Sequence, residues 1–480
     1  MKIFKNFIGL AAMALCLGFA SCSSDDDAPS YSNVAVSNSE LMTILKAKGY
    51  QFDENGKMLL DDKANSTTSL DLSGTKVDTA ALKELSVFPN LKELNLSNNS
   101  YGETFDFSVL PAQITGIDLT NNNIYNYDNL VKVTVEENGD ETVENLHNIT
   151  KLYLPEEAKY NIAQLVRFYR QNKPAIDGGT MDIKMQNENG VSEKYNTLRE
   201  IPDATLRAYL NQETTFSGLF DGEKIDLSKR LNNEQKINNI YITSYFFQQA
   251  NLNIDEMSTL EGLQYIIDNP YWEGTNLYIA PNTNMVMPKM TLGNSLTLLN
   301  LQNLNLGEVN VTNATQLYYI KLIGIEGMET LDLSKNTIWG QRGIAAEEDA
   351  MTGSVLTVAD CSDLKSIVFP NTEQLHASTL DIEYLPKIEK LDLSKFAKID
   401  AFVVGDLPDE FNLVYPNLTQ FHSVIGTSSF ACSVKTYALS STVDFINKYN
   451  KDTDSPKLTR ATMMATVPVF TTDYYSIFYR

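Results

Sequence analysis

The sequence predicts an α/β solenoid, in which the chain winds into two tandem stacks of short coils built on parallel β-sheet. Helical caps are expected in front of each stack, and mostly β-structure in the second. Paired apolar residues recur along the chain, the first copies lie 24 and 23 residues apart, and a helical pattern precedes each series. One coil cannot bury its own apolar residues, so neighbouring coils must stack. The 480 residues, 43% of them hydrophobic, provide enough apolar side chains for such a core.

The repeating unit is a nine-residue pattern that ends in asparagine. Leu-x-x-Leu-x-Leu-x-x-Asn occupies residues 91–99, and variants with Ile or Met occupy residues 114–122 and 328–336. Alternate residues of a strand share a face, so the two residues of the L-x-L pair point into the coil. The asparagine can then hydrogen-bond backbone groups that the following turn leaves unpaired. Weaker copies centre on Leu70, Leu152, Ile240, Leu299, Ile320 and Leu391. The pattern resembles the leucine-rich repeat.

The spacing of the apolar pairs differs between the two series. In the first series, a longer step of 35 residues contains the acidic segment 136–141, which predicts a loop inserted in one coil. In the second series, pairs recur about every 11 residues from Leu356 onward, which predicts coils with a strand on each side. The strings at 330–336 and 390–395 resemble the LDLSKN units of Bacteroidetes leucine-rich-repeat proteins.

Helical segments are expected at the ends of the stacks. The two N-terminal caps are predicted at Ser39–Leu45, which begins with a capping serine, and at Ile201–Leu210, where Pro202 and Asp203 start a helix. Residues Glu156–Gln171 predict a helix with Ile162, Leu165, Val166 and Tyr169 on one face, which closes the first stack and stops at Pro174. A helix over Ser441–Tyr449 and a strand over Thr466–Arg480 are expected to cap the second stack.

The first residues have the three parts of a secretory signal. Lys2 and Lys5 precede an apolar run that is too short to span a bilayer. The junction ending at Cys22 resembles a bacterial lipobox, and residues 23–27 are similar to the export signal of Bacteroidetes surface lipoproteins. The resemblance implies a lipid on Cys22 that holds the protein on the outer membrane, exposed at the cell surface. A plain cleaved signal with a free Cys22 is the alternative.

These features divide the chain into five segments. The predicted segments are a lipoprotein signal peptide at 1–21, a polar tether at 22–39, a first leucine-rich-repeat module with helical caps at 40–175, a linker at 176–194, and a second such module with its N-terminal and C-terminal caps at 195–480.

Composition and motifs exclude several classes of function. The net charge of −23 repels phosphate, which excludes nucleic acid as a partner. Three histidines are widely separated, and we find no phosphate-binding, zinc-protease or nucleophile-elbow motif, so we expect no enzyme, no metal and no cofactor. Cys361 stands at the asparagine position of one copy and predicts a buried thiol, while its pairing with Cys432 is left open. The Asp-Thr-Ala string at Thr79 is similar to the O-glycosylation site of Bacteroidetes.

The remaining candidates for function are the residues that flank the inward Leu pairs. These point outward on the concave face, where repeat proteins usually bind. The candidate ligand-binding residues are Tyr153, Tyr241, Tyr278, Tyr319, Asn239, Asn276, Asn300, Lys321 and Asp332. Tyrosine beside amides and carboxylates can stack on a sugar or anchor a protein, but tyrosine is also simply a good strand residue.

Three functions fit these predictions. The preferred one is a non-catalytic, lipid-anchored surface protein that binds an extracellular protein or glycan. The second is an accessory carbohydrate-binding component of a surface nutrient-uptake system, for which a flat row of aromatic residues is expected. The third is a surface hydrolase, which requires a carboxylate pair or a His/Asp/Ser cluster in a pocket.

Overall fold

The computed structural model describes most of the chain after residue 28. The described residues are 29–136, 140–212, 216–229, 231, 239–269, 271–288, 292–293, 295–307, 309–341, 353–405, 407–408, 412–414, 420–421 and 430–432. The signal peptide at 1–21, Cys22, the helix expected at 441–449 and the strand expected at 466–480 lie outside this part of the chain. Within it, no helix is both long and apolar enough to cross a membrane.

The described residues of the first stack form three α-helices and twelve strands. The helices are α1 (Ser39–Ala47), α2 (Asp62–Ser66) and α3 (Leu165–Asp177), with 3₁₀ helices at Thr79–Val87, Phe107–Val109 and Glu156–Tyr160. The strands are β1 (Tyr31–Ala35), β2 (Lys57–Leu59), β3 (Ser69–Asp71), β4 (Glu93–Asn95), β5 (Thr104–Asp106), β6 (Gly116–Asp118), β7 (Asn126–Asp128), β8 (Val131–Val135), β9 (Glu141–Asn145), β10 (Lys151–Leu154), β11 (Asp182–Gln186) and β12 (Ser192–Lys194).

Six of these strands form the sheet on which the first stack is built. Its order is β12-β11-β10-β6-β4-β3, and only β12 is antiparallel to its neighbour. One buried residue from each parallel strand forms a row across the sheet: Leu70, Leu94, Ile117, Leu152 and Ile183. This row is the inward face that the L-x-L pairs predict. Strands β5 and β7 pair in parallel in a second, small sheet.

The second stack begins with a helix and a small antiparallel sheet and continues with long parallel strands. Its helices are α4 (Ala204–Gln212), α5 (Ser244–Gln249) and α6 (Gln264–Ile267), with 3₁₀ helices at Ser217–Leu219 and Ile254–Glu256. Its strands are β13 (Leu198–Glu200), β14 (Phe220–Asp221), β15 (Lys224–Asp226), β16 (Ile240–Thr243), β17 (Asn276–Ala280), β18 (Met285–Val286), β19 (Leu298–Asn305), β20 (Tyr319–Glu326), β21 (Thr330–Asp332), β22 (Ser354–Ala359), β23 (Ser366–Val368), β24 (Leu375–Glu383), β25 (Lys390–Asp392), β26 (Phe396–Gly405), β27 (Asn412–Val414), β28 (Gln420–Phe421) and β29 (Phe430–Cys432).

Two parallel sheets line the coils of the second stack. The larger follows the order β16-β17-β19-β20-β22-β24-β26-β28, with β18 and β29 at its margin, and the smaller follows β21-β23-β25-β27. From β20 to β28 the chain alternates between the two sheets, so the prediction of coils with a strand on each side is confirmed for these coils. The stacked parallel strands of both halves agree with the predicted solenoid.

Both predicted N-terminal cap helices are present. Helix α1 begins after Asn38, whose side chain accepts hydrogen bonds from the backbone N–H groups of Glu40 and Leu41. Helix α4 begins after Asp203, whose carboxylate accepts from the N–H of Leu206 at 2.8 Å. A side-chain acceptor at this position satisfies N–H groups that the first helical turn cannot pair, which is why Asn and Asp start helices.

The predicted polar tether is wrong beyond residue 30. Strand β1 pairs with β2, Val36 is buried, and the N–H groups of Ser37 and Asn38 donate to the Glu84 carboxylate, both at 2.9 Å. The small polar residues of this segment form hydrogen bonds within the strand pair and at the start of α1. Because such residues are also typical of flexible tethers, their polarity alone did not indicate this structure.

The predicted linker at 176–194 is also wrong. Strands β11 and β12 extend the first sheet, and Tyr195 completes its core. Helix α3 runs through Pro174 to Asp177, three residues past the predicted stop. Proline removes one backbone hydrogen bond, and packing of the helix against both stacks outweighs that loss.

Helix α3 belongs to two hydrophobic cores. Leu165 and Phe168 are buried in the core of the first stack, whereas Ile162, just before the helix, and Val166 are buried in the core of the second. The predicted apolar face is therefore real, but it divides between the stacks, and Tyr169 packs at its margin against the first. This helix joins the two stacks as well as closing the first.

The acidic insertion of the first stack is a β-hairpin that contacts the second. Strands β8 and β9 pair antiparallel. At the start of β9, Glu141 forms an ion pair with Arg167 of α3 and accepts a hydrogen bond from the Tyr271 hydroxyl at 2.5 Å. Arg170 of α3 donates to the same hydroxyl at 3.0 Å. We call Glu141, Arg167, Arg170 and Tyr271 the junction cluster.

Candidate functional site

The outward face of the larger second-stack sheet carries a continuous row of polar and aromatic side chains. In register across six strands these are Tyr241, Tyr278, Asn300, Lys321, Thr357 and Asp381. We call them the central row. The residues on either side of each along its strand are buried, as the alternation of a strand with one buried face requires. Four of the predicted ligand-binding residues thus stand side by side.

The remaining predicted residues of this sheet lie one step away from the central row. Asn276 and Tyr319 share the preceding outward row, in which Leu298 stands between them. Asn239 lies just before β16 and binds the adjacent strand: its side-chain oxygen accepts from the N–H of Thr275 at 3.0 Å and of Asn276 at 2.9 Å. Sequence spacing therefore identified the correct face but could not separate its rows.

Side chains in the middle of the central row are shielded. Asn300 is 5% exposed and Lys321 is 6% exposed, although both point away from the core. Neighbouring strands lie about 4.8 Å apart, so adjacent side chains cover one another's stems. These two residues therefore lie on the predicted outward face but are covered by their neighbours. Tyr241 and Tyr278, at the first edge of the sheet, are half-buried.

Asp381 is a buried carboxylate that the sequence analysis did not select. Its Oδ1 atom has no hydrogen-bond partner. Burial, together with the negative charge of nearby Glu383, raises the pKa of Asp381 to about 7, and the charge of Lys321 opposes the rise. Its position between Leu380 and Ile382, an apolar pair of the repeat, is the signal that could have identified it.

Tyr241 is held in place by two amides and a second ring. The side-chain N–H groups of Asn239 and Asn276 both donate to its hydroxyl at 3.1 Å. Its ring stacks on Phe246 of α5 with centroids 4.5 Å apart and planes at 10°. Two of the predicted residues thus bind the phenol of a third, and the Tyr241 ring has little freedom to turn.

Tyr153 lies on the sheet of the first stack, within a network of charges. The ammonium groups of Lys151 and Lys184 lie 5.1 and 4.8 Å from its ring centroid. Its hydroxyl donates to Asp182 at 2.7 Å. Lys151 also reaches Glu93 at 2.7 Å across Gly116, which has no side chain to intervene. Tyr153 is therefore committed to internal contacts and is separate from the residues of the second stack.

Asp332 does not share a face with the other candidates. It ends β21 in the smaller sheet, where its carboxylate accepts from the N–H of Ser334 at 2.8 Å and forms a turn. A shallow cavity of about 500 Å³ beside it is lined by Gly307, Val309, Glu329, Thr330 and Asp332. Sequence could not place it, because the same apolar pair serves strands of both sheets.

Cys361 lies in the core of the second stack, and Thr79 begins a 3₁₀ helix of the first. Cys361 is a buried free thiol, and burial raises its pKa to about 12, which confirms the predicted buried cysteine. Cys432 ends β29, which pairs with β26 in the larger sheet. Asp78 caps the 3₁₀ helix that Thr79 begins; glycosylation of Thr79 stays a prediction.

The described residues contain no group of three or more His, Cys, Asp or Glu side chains arranged to hold a metal ion.

Comparison with known families found no family that matches the chain, and comparison with curated proteins found no match. Among solved structures, the chain is similar to the functional domain of InlJ from Listeria monocytogenes, which includes a cysteine ladder, with a TM-score of 0.18 and 14% identity over 79% of this chain and 75% of that one. We infer nothing about fold or function from a similarity this distant. The assignment of the fold depends on the order and register of the parallel strands.

Proposed function

We propose that this protein is a non-catalytic leucine-rich-repeat surface protein that binds an extracellular protein or glycan through the outward faces of its sheets. The observation that carries the proposal is the central row, which places polar and aromatic residues on six adjacent strands and leaves Tyr241, Tyr278 and Thr357 partly exposed. A broad sheet face with a rigid backbone suits recognition, because little conformational entropy is lost when a partner binds.

The proposal includes a lipid anchor and a position at the cell surface of a Bacteroidetes-type bacterium. It rests on the signal-like N-terminus that ends at Cys22, on the Ser23–Asp27 segment, and on the LDLSKN-like strings. Several acyl chains on one cysteine hold a protein on its membrane, since each buried CH₂ contributes about 0.8 kcal/mol. The acidic charge of the chain fits an extracellular partner other than nucleic acid.

A second candidate, a surface hydrolase, has one observation in its favour. Asp381 and Glu383 alternate along β24 and therefore share its outward face, and the raised pKa of Asp381 is typical of a general acid. The buried position of Asp381 Oδ1 favours the binding function, since a general acid must reach a substrate oxygen.

An array of glycans and extracellular-matrix proteins tests the proposal with the protein from residue 28 onward. We expect saturable binding that falls about tenfold in Tyr278→Ala, the loss of one anchoring aromatic contact. Tyr31→Ala, an exposed tyrosine of β1 outside the parallel sheets, is the matched control and is expected to bind as the unmodified protein does. Hydrolysis of any arrayed polymer would contradict the non-catalytic part, and binding to none of them would contradict the binding part.

A further inference from the structure

A cluster of aromatic rings lies at the first edge of the larger sheet. Tyr245 of α5 is 59% exposed, and its ring meets Phe246 edge to face at 5.2 Å and 89°. Phe246 in turn stacks on Tyr241. The exposed Tyr245 ring thus packs on Phe246, which packs on Tyr241. The Tyr241 hydroxyl is held by hydrogen bonds from the amides of Asn239 and Asn276.

A chain of polar side chains begins at the residue before Tyr245. The hydroxyl of Ser244, the residue before Tyr245, donates to Asn282 Oδ1 at 2.8 Å. The Asn282 amide donates to Asp255 Oδ1 at 2.7 Å. All three residues lie at the surface, where a hydroxyl, an amide and a carboxylate offer both donors and acceptors.

We propose that this edge is a binding site for an uncharged polysaccharide. A sugar ring has an apolar C–H face and a rim of hydroxyl groups, which match a tyrosine face and the neighbouring Ser244, Asn282 and Asp255. The residues described at this edge include no cation that would attract an anionic polymer, and the net charge of −23 repels one. The inference rests on the proposed binding function and specifies its ligand.

The preformed arrangement supports a ligand rather than a purely internal role. Burying an aromatic ring contributes favourably to folding, yet more than half of the Tyr245 surface is left in water. Its backbone is fixed by α5, whose Phe247 is fully buried against the core. Rings that are held before the ligand arrives lose little entropy on binding.

Affinity electrophoresis in gels that contain one neutral polysaccharide each (a β-glucan, an α-mannan, a galactomannan or a xylan) tests the proposal. We expect at least one polymer to retard the protein from residue 28 onward. Tyr245→Ala is expected to weaken that retardation about tenfold, whereas Tyr245→Phe, which keeps the ring, is expected to preserve it. Tyr31→Ala, which removes another exposed tyrosine in the first stack, is the matched control.

The outcomes separate this inference from the proposed function. Retardation by no neutral polymer, or equal retardation of the protein and Tyr245→Ala, overturns the inference. If a protein or an anionic glycan on the array binds instead, the proposed function stands and the assignment of the ligand fails. Far-ultraviolet circular dichroism of each variant shows that loss of binding does not reflect unfolding.

Discussion

At the scale of single residues, the buried asparagines explain why the coils stack in register. Asn122 Nδ2 donates to the carbonyls of Leu96 and Leu119 at 3.0 and 2.9 Å, and its Oδ1 accepts from the N–H groups of Asn99 and Tyr101. One amide therefore satisfies backbone groups of two successive coils. Sequence predicted this role from the fixed position of the asparagine after each L-x-L pair, where the turn leaves backbone groups unpaired.

The asparagines differ in how many groups they satisfy, which gives the first prediction. We expect Asn122→Ala to lower the free energy of unfolding by about 3 kcal/mol, because the N–H groups of Asn99 and Tyr101 and the Leu119 carbonyl lose this partner. The Leu96 carbonyl keeps the side-chain amide of Asn99 at 2.9 Å. Asn336 donates to two carbonyls, and its Oδ1 has no partner. Asn336→Ala is therefore expected to cost about half as much. Urea unfolding of the two variants measures the difference, and equal losses would show that the count of hydrogen bonds does not set the cost.

At the scale of elements, sequence patterns predicted what depends on local chemistry and missed what depends on tertiary pairing. Cap residues fix the starts of α1 and α4, and paired apolar residues fix the strands. Strands β1 and β12 have almost entirely exposed side chains, so hydropathy carries no sign of them. The same limit applies to the site: Tyr245 lies outside the repeat, in a helix whose place beside the central row only the fold reveals.

Helix α3 gives a prediction at this scale, because it tolerates Pro174 in its last turn. Pro174→Ala restores a backbone N–H and removes the clash of the proline ring, so we expect a gain of about 1–3 kcal/mol. Thermal unfolding followed by circular dichroism checks it. Lys173→Ala, on the exposed side of the same turn, is the control and is expected to change stability little. A lower midpoint for Pro174→Ala would mean that the ring itself packs productively.

At the scale of the whole molecule, the junction cluster and the shared helix hold two stacks together. The Glu141 side chain is 4% exposed and that of Arg167 is 12% exposed, so their ion pair is shielded from solvent. Tyr160 and Tyr265 stack across the same junction with centroids 6.0 Å apart, and Arg199 donates to the Lys159 carbonyl at 2.8 Å. We infer that the stacks move as one body.

Glu141→Gln tests this inference. Removing one charge of a shielded pair leaves Arg167 uncompensated, which costs about 3–5 kcal/mol where the charge cannot reach water. We expect faster amide hydrogen exchange in α3 and around Tyr271, with β3 and β4 unchanged. Glu144→Gln, an exposed position on the same strand, serves as the control. Unchanged exchange at the junction in Glu141→Gln would show that apolar packing alone joins the stacks.

The shared helix also bears on how such a chain can change in length over evolution. Coils inside either stack have equivalent neighbours, so a duplication or deletion of one unit leaves every surface matched. The segment from Ile162 to Phe168 is different, since its successive apolar residues serve opposite sides. A repeat unit inserted in this segment would separate the last coil of the first stack from the first coil of the second, whose facing surfaces fit only this helix and each other. Longer and shorter relatives are therefore expected to vary within the stacks and to keep this boundary intact.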